Sequence, residues 1–328
     1  MNNNEKNLLQ FLSCPYCPIN TAPLSLTKTV MRNDEVYEGI LTCPNNHSFP
    51  IENFIPDFVQ ENKDHSRDMI YDEIWGLHKE IPYFERDIPQ YIEKFQTFAN
   101  FPNHVGTYIQ NKMVLDAGCG AGRFSYLSSS LKADFVVSVD FSKYALTKSL
   151  YKTGNPKNIS FLRADLNTLP FRSRLFDFVF SYGVLHHTPN PYGAFQKLTH
   201  LLKQDAYMSI YVYRKNSLSI IQNLLRPLSL RSNRKHVLSF CKKFGFAYDY
   251  KDAIVLNIRN LFGYLGRLDI LRVKNMSYEG LTTPYLYSYK LEEIKKWFKK
   301  NNFSIISSSQ QLSMTGRLLE LPTTTKLQ

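Results

Sequence analysis

The sequence predicts an α/β domain built on a parallel sheet with helices on both faces, and three observations lead to it. The run Val114-Leu115-Asp116-Ala117-Gly118-Cys119-Gly120-Ala121-Gly122-Arg123-Phe124 reads as a buried strand entering a glycine turn and then a helix. A second apolar run, Val136-Val137-Ser138-Val139-Asp140, ends in a carboxylate 20 residues beyond Gly120. From Met113 to Tyr213 short apolar runs alternate with amphipathic ones, the order that gives crossover connections and a sheet covered on both faces.

Taken from the front, residues 1–60 carry three of the five cysteines. Cys14-Pro15-Tyr16-Cys17 and Cys43-Pro44-Asn45-Asn46-His47 are C-x2-C and C-x3-H pairs with 25 residues between them. Each knuckle supplies two ligands, so Cys14, Cys17, Cys43 and His47 are candidate ligands of a tetrahedral Zn²⁺. A fully protein-liganded zinc has no open position and is therefore expected to be structural. The alternative is that the metal has been lost and His47 is a surface side chain. A disulfide framework is disfavoured by the odd thiol and by the lack of a secretory signal. Cys119 and Cys241 read as small apolar fillers.

Residues 61–110 read as helical, with Ile70, Ile74, Leu77 and Ile81 at helical spacing and Tyr91, Phe95 and Phe98 continuing the pattern. Strands are expected at about 113–116, 136–140, 159–163, 176–182 and 206–213. At the first strand end the glycines let a ligand approach backbone closely, and the following helix offers unpaired N–H groups and its positive dipole end. Asp140 is placed to accept hydrogen bonds from ribose hydroxyls. The G-x-G-x-G spacing differs from the G-x-G-x-x-G of dinucleotide sites, and Asp116 beside it would repel a diphosphate but attract an ammonium. A ligand with a ribose and an amino group follows.

With these residues in place, the segment resembles motif I of class I S-adenosylmethionine (SAM)-dependent methyltransferases. Later stations of that family follow in order: Phe161-Leu162-Arg163-Ala164-Asp165-Leu166, then Leu169-Pro170-Phe171, then Phe176-Asp177-Phe178-Val179-Phe180-Ser181. The loop Gly183-Val184-Leu185-His186-His187-Thr188-Pro189-Asn190-Pro191 is typical of its type-11-like branch, and the likeness covers about residues 111–213. The resemblance implies a seven-stranded Rossmann-like sheet with helices on both faces. It implies SAM as co-substrate, with Asp116, Gly118, Gly120 and Gly122 at the methionine end, Asp140 at the ribose, and Asp165 with Leu166 at the adenine. Ser181 and Tyr182 are expected on the floor near the methyl group. His186 and His187 are candidate bases, or residues that steady the loop.

The same resemblance makes 61–110 a helical lid, in which Tyr71 and Trp75 either approach the ligand or pack within the lid. Ser48–Phe58 resembles the tail of the zinc ribbon of rRNA guanine methyltransferases and of the activator subunit of tRNA and protein methyltransferases. Two departures stand out. Leu202-Lys203-Gln204-Asp205-Ala206-Tyr207 replaces the family's Pro-Gly-Gly turn, and Ser181-Tyr182-Gly183-Val184 replaces the Asn/Asp-Pro-Pro-Tyr/Phe that marks amino-group methylation.

Residues 214–280 break the strand–helix alternation with basic amphipathic segments such as Ser217–Leu230 and Val255–Leu265, and read as a helical insert on the substrate side. The core resumes over 281–328, with a helix at Lys290–Asn301 and strands at Phe303–Ser308 and Arg317–Leu321. Tyr285, Tyr287 and Tyr289 face the substrate or pack on the sheet. The net charge of +12 is concentrated here: residues 214–328 hold 20 basic and 7 acidic side chains. No stretch is apolar enough to span a bilayer and no signal peptide is visible, so the chain is expected to be cytoplasmic. The leading expectation is methylation of a small or lipid-like metabolite. RNA is the competing acceptor, favoured by the ribbon and the basic region. The basic insert fits a peripheral contact with an anionic membrane as well, or a merely solvated face. A SAM-binding scaffold without catalysis is the third reading, disfavoured by the intact carboxylates and glycines.

Overall fold

The computed structural model describes residues 8, 10–18, 22–33, 35–59, 65–77, 88–154, 157–215, 217–244 and 278–321. Its N-terminal part is an antiparallel sheet of β1 Ser25–Arg32, β2 Glu35–Thr42, β3 Ser48–Glu52 and β4 Ile55–Pro56, paired in sequence order. Three helices follow, α1 His65–Leu77, α2 Ile88–Ala99 and α3 Gly106–Ile109. Ile81 lies outside the described residues.

The second sheet contains β5 Met113–Ala117, β6 Phe135–Asp140, β7 Ile159–Arg163, β8 Phe176–Tyr182, β9 Leu202–Tyr211, β10 Phe303–Ser308 and β11 Ser313–Leu318, in the order β10-β11-β9-β8-β5-β6-β7. β5 to β9 pair in parallel, and β11 and β10 add antiparallel at one edge. The helices α4 Arg123–Ser130, α5 Lys143–Thr153, α6 Pro191–His200 and α9 Leu291–Lys300 lie between these strands in the chain, with α7 Ser217–Arg231 and α8 Arg234–Phe244 interposed after β9.

The continuous apolar runs form strands because both faces are covered. Val114, Val136 and Phe178 point into a cluster with Phe95, Ile109 and Leu127 of α2, α3 and α4. Their neighbours Leu115, Val137 and Val179 point the other way, toward Phe195 and Leu198 of α6 and Ile294 and Phe298 of α9. The strand order reverses beside β5, so the turn after β5 opens into the crevice where α/β sheets bind ligands.

The N-terminal sheet is part of this core rather than an appendage. Residues 164–175, which join β7 to β8, contain no helix, and the second face there is covered by Leu12, Leu41, Phe49 and Phe58, which share one hydrophobic cluster with Leu115, Val137 and Leu162. Backbone pairing continues the sheet at its β7 edge: Asp57 bridges Arg163 in parallel, and the Phe58 N–H donates to the Arg163 carbonyl at 2.8 Å. On the other side of the turn the Ser13 N–H donates to Pro170 O at 2.9 Å and the Arg172 N–H to Phe11 O at 3.0 Å. The C-terminal end of the β7 edge is thereby covered.

Several boundaries differ from those expected. β9 begins at Leu202, so the segment read as a variant turn lies inside the strand. The irregularity is absorbed by Asp205 at φ 63 and by a register shift opposite Phe176 and Phe178. β11 runs Ser313–Leu318 rather than 317–321. Gly316 disguises the pattern; a Cβ there would lie 2.6 Å from Phe298 Cδ1, so the residue that weakens the strand signal is the one the helix needs. Ser217–Leu230 corresponds to α7, whereas Val255–Leu265 lies outside the described residues. Among the described residues no helix is long and apolar enough to cross a membrane.

Candidate functional site

The turn after β5 is anchored to β6: the N–H groups of Gly118 and Cys119 donate to the Val139 carbonyl at 2.8 and 2.9 Å. Gly118, Gly120 and Gly122 have φ of 92, 53 and 79°, the left-handed region. At Gly120 the absent Cβ matters doubly, because the indole of Trp75 from α1 occupies the space a side chain would fill. α4 begins at Arg123 without a side-chain cap, which leaves its N-terminus directed at the crevice.

Two carboxylates flank the turn. Asp116 is buried and accepts from Ser125 Oγ at 2.7 Å. Burial pushes its carboxyl up to about 7, against the hydrogen bond from Ser125, and the nearby Asp140 charge adds to the rise. Asp140 accepts from the Gly120 N–H at 2.7 Å and the Ser142 N–H at 2.9 Å. Burial also raises Asp140, and its bonds to backbone N–H groups oppose that. Ser142 caps α5, accepting from Ala145 N at 3.0 Å, and its hydroxyl donates to Asp72 of α1 at 2.5 Å. Asp72 also takes the Tyr144 N–H at 3.2 Å, so α1 is seated on the rim of the crevice.

The remaining expected positions divide. Asp165 closes its turn by accepting from Asn167 N at 2.8 Å, and Leu166 is buried beneath it. Ser181 donates to Ala117 O at 2.8 Å, tying β8 to the end of β5. The Tyr182 hydroxyl donates to Ser209 at 2.7 Å, Ser209 meets Thr315 at 2.8 Å, and the Tyr182 ring packs on Phe95, Phe124 and Phe180.

His186 and His187 lie side by side after β8, ring centroids 4.2 Å apart, with the Tyr213 ring 3.7 Å from His186. His186 is fully buried and neither ring nitrogen has a partner among the described residues. Burial holds it well below the usual histidine range, and the neighbouring His187 adds to this. His187 Nδ1 lies 3.1 Å from the Tyr285 carbonyl, and Nε2 lies 3.1 Å from Glu279 Oε1, off the direction of an aligned hydrogen bond. Tyr71 of α1 donates to the His187 carbonyl at 3.2 Å.

The sequence did not single out Glu279, Asp72 or the buried pair of Arg163 and Asp57, with Nη1 to Oδ2 at 2.6 Å. Each is a lone charged residue whose partner is more than 65 positions away, and no local pattern announces such a pairing.

In the ribbon, Cys14, Cys17, Cys43 and His47 converge with all ligand atoms within 4.8 Å of one another. His47 Nδ1 is 3.5, 3.5 and 3.4 Å from the three sulfurs in chain order, and Cys17 Sγ is 3.9 Å from Cys43 Sγ. A tetrahedral zinc with ordinary bond lengths requires edges of roughly 3.5–3.8 Å, so the four residues fit that metal. Asn45 Nδ2 donates to Cys17 Sγ at 3.1 Å, an outer contact that steadies a thiolate. Tyr16, between the knuckle cysteines, donates to Phe58 O at 3.1 Å. Burial pushes the Tyr16 hydroxyl up, and the charges of Cys14 and Asp165 add to it.

Strand order, the turn at the switch point and the two flanking carboxylates define a Rossmann-like fold of the class I methyltransferase type. Residues 115–210 match the family described as methyltransferase domain. A tRNA U34 carboxymethyltransferase of Pseudoalteromonas atlantica is 29% identical over 153 residues, covering 39% of this chain and 47% of that protein. Cycloartenol-C-24-methyltransferase of Arabidopsis thaliana is 29% identical over 101 residues, 30% of each chain. The chain thus spans less than half the length of these curated relatives. Among solved structures, a chain from the complex of the Haloferax volcanii Trm112 methyltransferase activator with a methyltransferase matches at TM-score 0.45 and 10% identity, over 76% of this chain and 98% of that one.

Proposed function

We propose that the protein is a SAM-dependent methyltransferase acting on a small or lipid-like metabolite. The observation that carries the reading is the seat of Asp140, locked by two backbone N–H groups at the mouth of a crevice whose other wall is a Cβ-free turn. Asp140 would hold the ribose, Asp116 and the turn the amino-acid end, and Asp165 with Leu166 the adenine. The sulfonium supplies an activated methyl group and a neutral leaving group. This chain's residues align donor and acceptor and exclude water. Cys14, Cys17, Cys43 and His47 would hold a structural zinc. In this reading residues 1–60 form the ribbon, 61–110 the lid, 111–213 with 281–328 the core and 214–280 the insert, with ribbon and core sharing one hydrophobic cluster.

Titration with S-adenosylhomocysteine by calorimetry tests the cofactor site: the wild type should bind, and Asp140→Ala should bind far more weakly. Equal affinity would remove the assignment. The acceptor is tested with radiolabelled SAM and a cell extract, with and without ribonuclease. Label that moves to the organic phase supports the metabolite, whereas label lost with ribonuclease supports RNA. The RNA reading draws on the 20 basic residues of 214–328 and on the ribbon, and among relatives tRNA and sterol enzymes both occur.

A further inference from the structure

We propose that the outward faces of α7 and α8 form a docking surface for an anionic lipid bilayer. Residues 206–248 contain eight Lys and Arg and no Asp or Glu. Within that stretch the described side chains of α7, residues 223–231, place polar groups inside and apolar groups outside as well. Its buried side carries Arg226, whose guanidinium donates to the carbonyls of Gly280, Thr283 and Pro284 at 2.6, 2.7 and 3.3 Å, while Ser229 Oγ donates to Leu281 O at 2.7 Å. Its outer side carries Leu224, 72% exposed, and Leu228, 68% exposed, one helical turn apart, with Pro227 between them. Leu225 packs inward on the Ile70 and Ile74 cluster, so Leu224 and Leu228 form a second apolar face, turned to solvent, that a surface helix does not need in water.

α8 continues the surface. Val237 and Cys241 pack inward on Ile70, Ile74, Tyr278 and Leu281, which leaves Phe240 41% exposed beside exposed Lys235 and His236. Arg231 and Lys235 have no carboxylate partner among the described residues. Leucine and phenylalanine between unpaired cations match a bilayer interface, where apolar side chains enter the acyl boundary and cations meet lipid phosphates. RNA would use the cations but leave the leucines in water. A second copy of this chain would set like charge against like.

The position gives the contact a use. α8 packs on α1, whose Trp75 covers Gly120, and α7 holds residues 280–284 beside Glu279 and His187. A bilayer on this face would lie at the acceptor side, where a lipid-like substrate arrives. That consequence rests on the methyltransferase reading, whereas the docking itself does not.

The test is flotation of the full-length protein with vesicles of phosphatidylcholine alone and of phosphatidylcholine mixed with phosphatidylglycerol. Binding is expected to the mixed vesicles only, to weaken with salt, to be lost in the Leu224→Asp/Leu228→Asp variant, and to fall by roughly twentyfold or more in Arg231→Glu/Lys235→Glu. Failure of the wild type to float with mixed vesicles, flotation unchanged in the leucine variant, or a gel shift with tRNA without vesicle binding each overturns the proposal. Calorimetry with S-adenosylhomocysteine on the same variants confirms an intact fold, and absence of that binding in the wild type would sink the methyltransferase reading alone.

Discussion

Nε2 of His187 lies 3.1 Å from Oε1 of Glu279, while Nδ1 of the same ring lies 3.1 Å from the Tyr285 carbonyl. A carbonyl only accepts, so Nδ1 carries a proton. Nε2 and Glu279 are close but not aligned as a hydrogen bond, so the ring is held through Nδ1, with the rings of Tyr71, His186 and Tyr213 packed around it.

The expected outcome is that nitrogen NMR places a ring proton of His187 on Nδ1, where it donates to the Tyr285 carbonyl. Glu279→Gln removes no aligned hydrogen bond and should change stability by less than about 1 kcal/mol, with cofactor affinity unchanged. A neutral ring carrying its proton on Nε2 alone would show that the Tyr285 carbonyl does not hold it.

Arg163 and Asp57 join the ribbon to the edge strand β7 across 106 residues of sequence, with side chains only 6% and 12% exposed. Burial raises the Asp57 carboxyl despite the Arg163 charge, so the ion pair binds the two parts together without being an efficient source of stability. Asp57→Ala strands a buried guanidinium and should cost about 3–5 kcal/mol in urea unfolding, whereas the paired replacement Asp57→Leu/Arg163→Met should cost much less. Because ribbon and sheet share one hydrophobic cluster, zinc chelation should lower the melting temperature of the whole protein in one transition. Two separate transitions would show an independent ribbon.

The extent to which this could be read in the sequence follows from how local each determinant is. Strand β7 and strand β8 fall where the apolar runs put them, because a strand buried on both faces writes its whole length in hydrophobic residues. The glycine turn, Asp116 and Asp140 were legible for the same reason, as one strand–turn–helix unit. The cysteine cluster was legible from spacing, but its docking on β7 was not. A backbone bridge between Asp57 and Arg163 has no compositional signature, and the missing helix after β7 hints only that something else covers that face. Tyr182 follows the apolar pattern of β8, and its partner Ser209 became apparent only once β8 and β9 were paired.

Trp75 offers a direct reporter of the crevice. The chain has two tryptophans, and Trp297 packs against Tyr192, Phe195 and Tyr289 on the opposite face of the sheet. Ligand entering over Gly120 must share space with the Trp75 indole. Addition of S-adenosylhomocysteine should therefore change the emission of wild type and Trp297→Phe alike, and leave Trp75→Phe silent. Gly120→Ala adds a Cβ against the indole at φ 53 and should abolish the response. A response that survives in Trp75→Phe would place the ligand elsewhere.

The carboxyl of Asp116, held at about 7 by burial, makes ligand binding depend on pH in a definite direction. In the free protein the folded state keeps this proton while the unfolded chain, near 3.8, has released it. Its contribution to stability is thus present below the unfolded value and is lost as pH rises through about 7. At about 1.4 kcal/mol per unit, the ceiling of that loss is about 4 kcal/mol. An ammonium beside the carboxylate favours the ionised form, so binding of S-adenosylhomocysteine should tighten as pH rises from mildly acidic to mildly alkaline. Below neutrality it should release a proton, which calorimetry in two buffers of different ionisation enthalpy would register. Asp116→Asn keeps an acceptor for Ser125 and removes the charge. It should flatten the pH dependence, abolish the proton release, and melt higher than the unliganded wild type at alkaline pH. Wild-type affinity that stays constant across this range would mean that Asp116 does not face the ligand's amino group.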